Sequence, residues 1–168
     1  GTVEKAVAYL YKAGQQGVQR SAYSEATNYF TQAIALLQTL PDTRERTQQE
    51  IALQIALGLS LSSTTGYGTS EVGQAFIRAH ALCQQIGETP QLSVVLRGLW
   101  NFYGLRAEYE TARPFVNQRL NLAQRLQDSA LLMGAHQDLG FFLVWPGEWN
   151  SAREHLEQSL TFYDLRQH

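Results

Sequence analysis

The sequence has little of several residue types, and each shortage excludes a class of protein. Among the 168 residues there is one cysteine, Cys83, so no disulfide can form within the chain. This is consistent with a reducing compartment, and we expect a cytoplasmic protein. No apolar run approaches the ~20 residues that a membrane span needs, and no signal peptide is visible. Lysine occurs only at Lys5 and Lys12 and the formal net charge is −2, which argues against nucleic acid as a partner.

What the sequence does contain is a repeated pattern of small and large residues. Near the C-terminus, Leu139 and Gly140 are followed by Ala152, and Leu156 lies four residues further on. The same frame recurs around Gly14, Ala26 and Phe30, around Gly58, Val72 and Phe76, and around Trp100, Ala112 and Val116. Small residues at such positions let two helices approach closely where they cross. The frame therefore predicts four helix–turn–helix units, with Trp100 standing where a glycine is expected.

The spacing of this frame indicates a stack of similar units. Val72, Ala112 and Ala152 follow one another at intervals of 40 residues. The second helix–turn–helix repeat has two extra residues, which fall at 66–68, where we expect a longer turn. The pattern resembles tetratricopeptide repeats, whose usual period is about 34 residues. The resemblance implies an all-α fold, a right-handed superhelical solenoid of four repeats with about eight antiparallel helices and a period of about 40.

Boundary signals divide the chain further. We expect one domain over residues 1–168, excised from a larger protein, with repeats near 3–41, 42–88, 89–127 and 128–168. The predicted helices are 3–19, 22–40, 43–65, 70–86, 90–106, 110–127, 129–145 and 149–166. The predicted capping residues are Ser21, Asp42 with Glu45, Thr69 or Ser70, and Asp128. Pro90 is expected at the first position of the fifth helix, and Pro146 disfavours helical geometry at Trp145.

Several strings point to a narrower group. They are residues 33–37 with 40–42, 53–58, 66–68, 97–100, 135–136 with 139–140, and 152–158. Together they resemble the C-terminal repeat region of large bacterial signalling ATPases of the AAA/STAND type, which often carry a class III nucleotide cyclase or protein kinase domain. The period is also similar to that of the superhelical sensor domain of maltose-regulator-type activators. The chain has no glycine–lysine phosphate loop, so the resemblance implies no catalytic residue.

The resemblance also implies a binding surface. In tetratricopeptide folds the first helix of each pair lines a concave groove. The corresponding residues are Tyr11, Gln15, Gln19, Ile55, Leu59, Ser62, Arg97, Asn101, Gln137, Phe141 and Trp145. Their mixture of apolar and amide groups, with one cation, suits an extended peptide or a helix. The alternative is that some of them, above all Ile55, Leu59 and Phe141, belong to the core.

Metal and catalytic constellations are weak by comparison. His80 and Cys83 lie three residues apart and could share a metal, but structural zinc requires four ligands, so a helix face is the preferred interpretation. His136 and Asp138 point to different sides of a helix and form no dyad. His155 is expected on a solvated face. We expect no metal and no cofactor.

One turn, at residues 66–68, is a further candidate site. Gly66-Tyr67-Gly68 lacks the lysine and the strand-to-helix context of a phosphate loop. Tyr67 remains a candidate contact residue, because it lies in a long turn.

These observations favour a non-catalytic protein–protein interaction or regulatory scaffold, whose partner is a protein, a peptide or another domain of the parent chain. The alternative is a sensor that binds a sugar or metabolite through Trp145, Tyr11, Asn101 and the glutamines. An enzyme is not expected, and neither is a membrane partner. The last helix carries Leu156, Leu160 and Tyr163 on one stripe, which predicts self-association through an exposed end.

Overall fold

A computed structural model describes residues 1–87 and 89–163, and helices are the regular structure of that part of the chain, with no strand in it. The predicted all-α class is confirmed. The helices are α1 Thr2–Gln19, α2 Tyr23–Leu37, α3 Arg44–Thr65, α4 Ser70–Ile86, α5 Leu92–Leu105, α6 Tyr109–Leu126, α7 Ser129–Val144 and α8 Trp149–Thr161. Residues 164–166, which were assigned to the last helix, lie outside the described residues. None of the described helices is both long and apolar enough to cross a bilayer.

The chain forms two compact units, divided within α5. Unit 1 runs from Gly1 to Gly98 and unit 2 from Leu99 to the end of the chain. In unit 1, α1 packs on α2, α2 on α3 and α3 on α4, around a core that includes Phe30, Leu37 and Leu53. In unit 2, α6 packs on α7 and α7 on α8, around Trp100, Val116 and Phe142. That residues 1–168 make one domain stays a prediction.

Three of the helix pairs are joined by the same turn. Its central residue has a left-handed backbone, with φ of 59° at Ser21, 60° at Ala107 and 81° at Gly147. In each turn the next backbone N–H donates across the turn to a carbonyl of the preceding helix, from Ala22 to Gly17 (2.8 Å), Glu108 to Tyr103 (2.9 Å) and Glu148 to Leu143 (3.0 Å). This bond to the carbonyl five residues back is the mark of a Schellman helix end. The predicted longer turn between α3 and α4 is not found: residues 66–69 make a link as long as residues 145–148 between α7 and α8. The extra residues extend α3 instead, which continues to Thr65.

Two predicted N-caps are wrong for local reasons. Ser21 occupies the left-handed position of the turn, so the N-cap of α2 is Ala22, which makes no side-chain capping bond. At α3 the N-cap is Thr43, not Asp42: its extended backbone lets its hydroxyl accept from the Arg46 N–H (3.1 Å). Asp42 instead pairs with the Arg46 guanidinium (3.4 Å).

Of the remaining boundary predictions, two are confirmed and two are wrong. Asp128 caps α7 as predicted, accepting from the Leu131 N–H (2.9 Å), and Thr69 is the N-cap of α4. However, α5 begins at Leu92, because Pro90 lies in a preceding turn in which the Leu92 N–H donates to Thr89 (3.0 Å). Trp145 has helical angles (φ −67°, ψ −44°), against prediction. The helix nevertheless ends there, since Pro146 has no N–H to continue the ladder.

The close approaches predicted at glycines are confirmed. A Cβ added to Gly58 would lie 2.8 Å from the Phe76 ring, and one added to Gly140 would lie 2.6 Å from Leu156 Cγ. Gly98, which the repeat frame does not single out, meets the other edge of the same Phe76 ring. Only a glycine at each position lets the ring pack this tightly, so one side chain joins α3, α4 and the part of α5 that belongs to unit 1.

Candidate binding grooves

Unit 1 contains a groove of about 420 Å³ between α1, α2 and α3, which we call the unit 1 groove. Its polar lining consists of Tyr11, Gln15, Gln19, Tyr23, Ser60 and Ser63, and its apolar lining of Val18, Phe30, Ala56 and Leu59. Tyr11 is held against the buried Phe30, with ring centroids 6.0 Å apart. Every side chain of this lining is uncharged, so the groove can offer hydrogen bonds and apolar contact but no ion pair.

The structure brings four predicted groove residues together here and separates two others. Tyr11, Gln15, Gln19 and Leu59 all line the unit 1 groove. Ile55 is only 8% exposed and belongs to the buried side of α3, so for this residue the core alternative holds. The Ser62 hydroxyl donates to the Leu59 carbonyl of its own helix (2.8 Å).

Unit 2 contains a second groove, of about 300 Å³, which we call the unit 2 groove. It is lined by Trp100, Asn101, Gly104, Leu105, Phe141, Val144 and Trp145. Three of these side chains are apolar and at least half exposed: Leu105 (57%), Phe141 (50%) and Trp145 (56%). Of the described residues in this lining, Asn101 supplies the one amide and none is charged.

Helix ends position the rim of the unit 2 groove. Phe141 and Trp145 lie one turn apart at the end of α7, and Leu105 is the last residue of α5. The Trp145 ring stacks on Tyr109, with centroids 6.3 Å apart and planes inclined by 26°. This contact fixes the indole without burying it.

Three predicted groove residues therefore meet at the unit 2 groove, and two others, Gln137 in unit 2 and Arg97 in unit 1, do not line it. Asn101, Phe141 and Trp145 share the unit 2 groove, whereas Gln137 lines another depression of about 470 Å³ against α8. Arg97 is exposed on α5 and is not among the residues that line either groove.

A buried polar cluster beneath the unit 2 groove has no counterpart in the sequence analysis. The Asp138 carboxylate accepts from the Trp100 indole N–H (3.1 Å) and from the Arg119 guanidinium. Arg119 and Asp138 are 7% and 4% exposed. Because Trp100 lines the groove, this ion pair holds part of the groove in place. Sequence periodicity places these polar residues on apolar faces but does not pair them across α6 and α7.

The prediction that His155 lies on a solvated face is wrong, because its ring contacts His136. Its Nδ1 lies 2.9 Å from Nδ1 of His136, and Phe162 stacks on the His136 ring with centroids 5.8 Å apart. Burial, and then the neighbouring His155, lower the pKa of His136. His136 and Asp138 have separate partners, as predicted.

The other candidate site residues, His80, Cys83 and Tyr67, are in contact with neighbouring groups of the fold. Burial lowers the pKa of His80 and raises the pKa of the Cys83 thiol, whose sulfur lies 3.6 Å from the Thr89 hydroxyl. Over residues 1–87 and 89–163, no group of three or more His, Cys, Asp or Glu side chains could hold a metal. The Tyr67 ring stacks on Phe76 (6.3 Å), so it covers the core.

The predicted stripe on α8 is only partly exposed. Leu160 and Tyr163 are 71% and 48% exposed, but Leu156 packs against Gly140.

Comparison with models of known protein families finds no match, and comparison with curated proteins finds none either. The function therefore has to be inferred from the grooves themselves.

Proposed function

We propose that the chain is a non-catalytic protein-interaction module built from four tetratricopeptide-type repeats in a right-handed solenoid. In this proposal it serves as a regulatory scaffold of a multidomain bacterial signalling protein. Its partner is a protein or peptide, which includes another domain of the parent chain. The observation that carries the proposal is the uncharged unit 2 groove with its exposed Leu105, Phe141 and Trp145.

The recurring turn supports the repeat assignment. Ser21, Ala107 and Gly147 adopt the same left-handed backbone between paired helices, and the last two are 40 residues apart. The contact of Gly140 with Leu156 repeats that of Gly58 with Phe76. Independent segments of one chain thus use the same local solution, as a repeat protein requires.

The unit 2 groove has the composition of an interaction surface. Exposed aromatic side chains in a preformed depression are typical anchors of protein interfaces, where tryptophan is enriched among the residues that dominate affinity. Burying one such side chain fully stabilises a complex by about 1.5–3 kcal/mol. Because none of the described residues that line the groove is charged, the matching face of the partner is apolar, and Asn101 is the one amide beside it.

The interaction function is testable without knowing the natural partner. Peptides are selected from a random display library on the full chain and then titrated against a Phe141→Ser, Trp145→Ser double variant. We expect apolar, helix-forming peptides whose affinity falls at least tenfold in the double variant, which corresponds to the loss of about 1.4 kcal/mol.

A matched control distinguishes binding in this groove from non-specific binding to exposed apolar side chains. Ile77 is 45% exposed on α4 and lies outside both grooves. Ile77→Ser should bind the selected peptides like the wild type. Selection of no peptide, or equal binding by the double variant, would contradict the proposal.

A further inference from the structure

The unit 1 groove contains a buried hydroxyl group that lacks a partner. Ser60 is 1% exposed and lines the groove, and its Oγ makes no hydrogen bond to any residue that the structure describes. Its neighbours differ: the hydroxyls of Ser62 and Ser63 both donate to the Leu59 carbonyl (2.8 and 3.0 Å). A buried polar group without a partner is costly, so native proteins almost always satisfy it.

The surroundings of Ser60 are those of a small-molecule site. The volume of about 420 Å³ lies within the range typical of ligand pockets. The side-chain amides of Gln15 and Gln19 are exposed at the groove, and Phe30 and Leu59 add apolar surface beside them. A ligand here can stack an apolar face while it exchanges hydrogen bonds with amides and hydroxyls.

The charge of the ligand follows from the lining. Among the residues that the structure describes, no carboxylate, ammonium, guanidinium or imidazole group lines the unit 1 groove. A charged ligand would lose part of its hydration and gain no opposite charge, whereas a neutral polar group would exchange water for protein hydrogen bonds.

We propose that the unit 1 groove binds a small uncharged molecule that combines an apolar ring with an amide or hydroxyl group, and that this group hydrogen-bonds to Ser60 Oγ. The site uses none of the residues of the unit 2 groove, so it does not rest on the interaction function proposed above. The sensor predicted from the sequence uses Tyr11, Asn101, Trp145 and the glutamines as one site. In the structure Tyr11, Gln15 and Gln19 line the unit 1 groove, whereas Asn101 and Trp145 line the unit 2 groove.

Three ring compounds of equal shape test the proposal. Benzamide is neutral, benzoate is negative and benzamidine is positive, and each is titrated into the full chain while backbone amide NMR shifts are recorded. We expect benzamide to shift the signals of Tyr11, Ser60 and Ser63 saturably, and the two ions to bind at least tenfold more weakly. No saturable shift with benzamide, or equal binding by either ion, would overturn the proposal.

Two variants test the role of Ser60. Ser60→Ala should weaken benzamide binding roughly tenfold, the equivalent of one hydrogen bond. Thr64→Ala serves as the control, because the Thr64 hydroxyl is exposed and already donates to Leu61 (3.0 Å). Gln15→Ala, an exposed change that leaves the core intact, should also weaken binding. Wild-type affinity in Ser60→Ala would overturn the proposed hydrogen bond, and wild-type affinity in Gln15→Ala as well would remove the site.

Discussion

His136 on α7 and His155 on α8 face each other with their Nδ1 atoms 2.9 Å apart. One of these atoms must carry a proton and the other must accept it for a hydrogen bond to form. If both rings become cationic, two N–H groups and two positive charges meet. The contact between the two helices is therefore compatible with neutral or singly charged histidines only.

This pair predicts a stability that declines in acid. The pKa of His136 is lowered from 6.5 in the folded state, chiefly by burial, so the unfolded chain binds more protons as the pH falls. The corresponding stability is fully present above pH 6.5 and is lost as the pH drops below that value. Urea unfolding midpoints between pH 7.5 and 5.5 measure this loss.

The contribution of His155 can be isolated. A His80→Gln background removes the other histidine whose pKa is lowered, which is partly buried. In that background, His155→Gln should raise the pKa of His136 toward 6.5, followed by NMR titration of its ring proton, and should flatten the acid decline. An unchanged pKa would show that the two rings do not interact in solution.

The buried ion pair of Arg119 and Asp138 predicts that a nearly isosteric substitution greatly lowers the free energy of unfolding. Asp138→Asn keeps the shape of the side chain but leaves the Arg119 charge buried beside a neutral amide. We expect a loss of about 3–5 kcal/mol in the free energy of unfolding. Glu157→Gln breaks the exposed pair with Arg153 and should cost about 0–1 kcal/mol. Equal effects of the two variants would contradict the buried pair.

The crossing of α7 and α8 predicts intolerance of bulk at Ala152. This residue is 2% exposed, and its carbonyl oxygen would lie 3.1 Å from a Cβ at Gly140. Ala152→Leu should therefore destabilise the protein by about 1–3 kcal/mol through overpacking. Ser151→Leu, the same added bulk on the exposed neighbour, is the control. An unshifted unfolding midpoint in Ala152→Leu would rule out this helix register.

The recurring turn predicts opposite effects of exchanging glycine and alanine at equivalent positions. Ala107 has φ of 60°, which costs a residue with a Cβ about 1 kcal/mol, whereas Gly147 adopts φ of 81° freely. Ala107→Gly should leave stability unchanged or raise it by up to ~1 kcal/mol, and Gly147→Ala should lower it by a similar amount. Thermal unfolding of the pair of variants gives the comparison, and destabilisation in both would contradict it.

The sequence predicted the helices well because their signals are local. Apolar periodicity and turn residues lie within a few positions of each boundary, and Asp128 capped its helix as expected. The left-handed turn at Ser21 was missed although a signal existed. Ser21 stands seven residues after Gly14, as Gly147 does after Gly140, so aligning the turns as well as the helices would have found it.

The site was harder to predict because its residues are distant in sequence. The frame identified Asn101, Phe141 and Trp145, which share a groove, because it identifies one face of each first helix. It could not separate Ile55, which is buried, from Leu59 one turn later, since both are apolar. It also missed Ser60, whose significance lies in the absence of a local hydrogen bond that most helical serines make.

The close packing of sequence neighbours has a consequence for how the chain folds. Within unit 1 each helix from α1 to α4 contacts the next, and within unit 2 α6 contacts α7 and α7 contacts α8. Contacts that are short in sequence form with little loss of loop entropy, and proteins rich in them fold in microseconds to milliseconds. Helix pairs of this kind can also open separately, so hydrogen exchange should report several opening free energies along the chain rather than one.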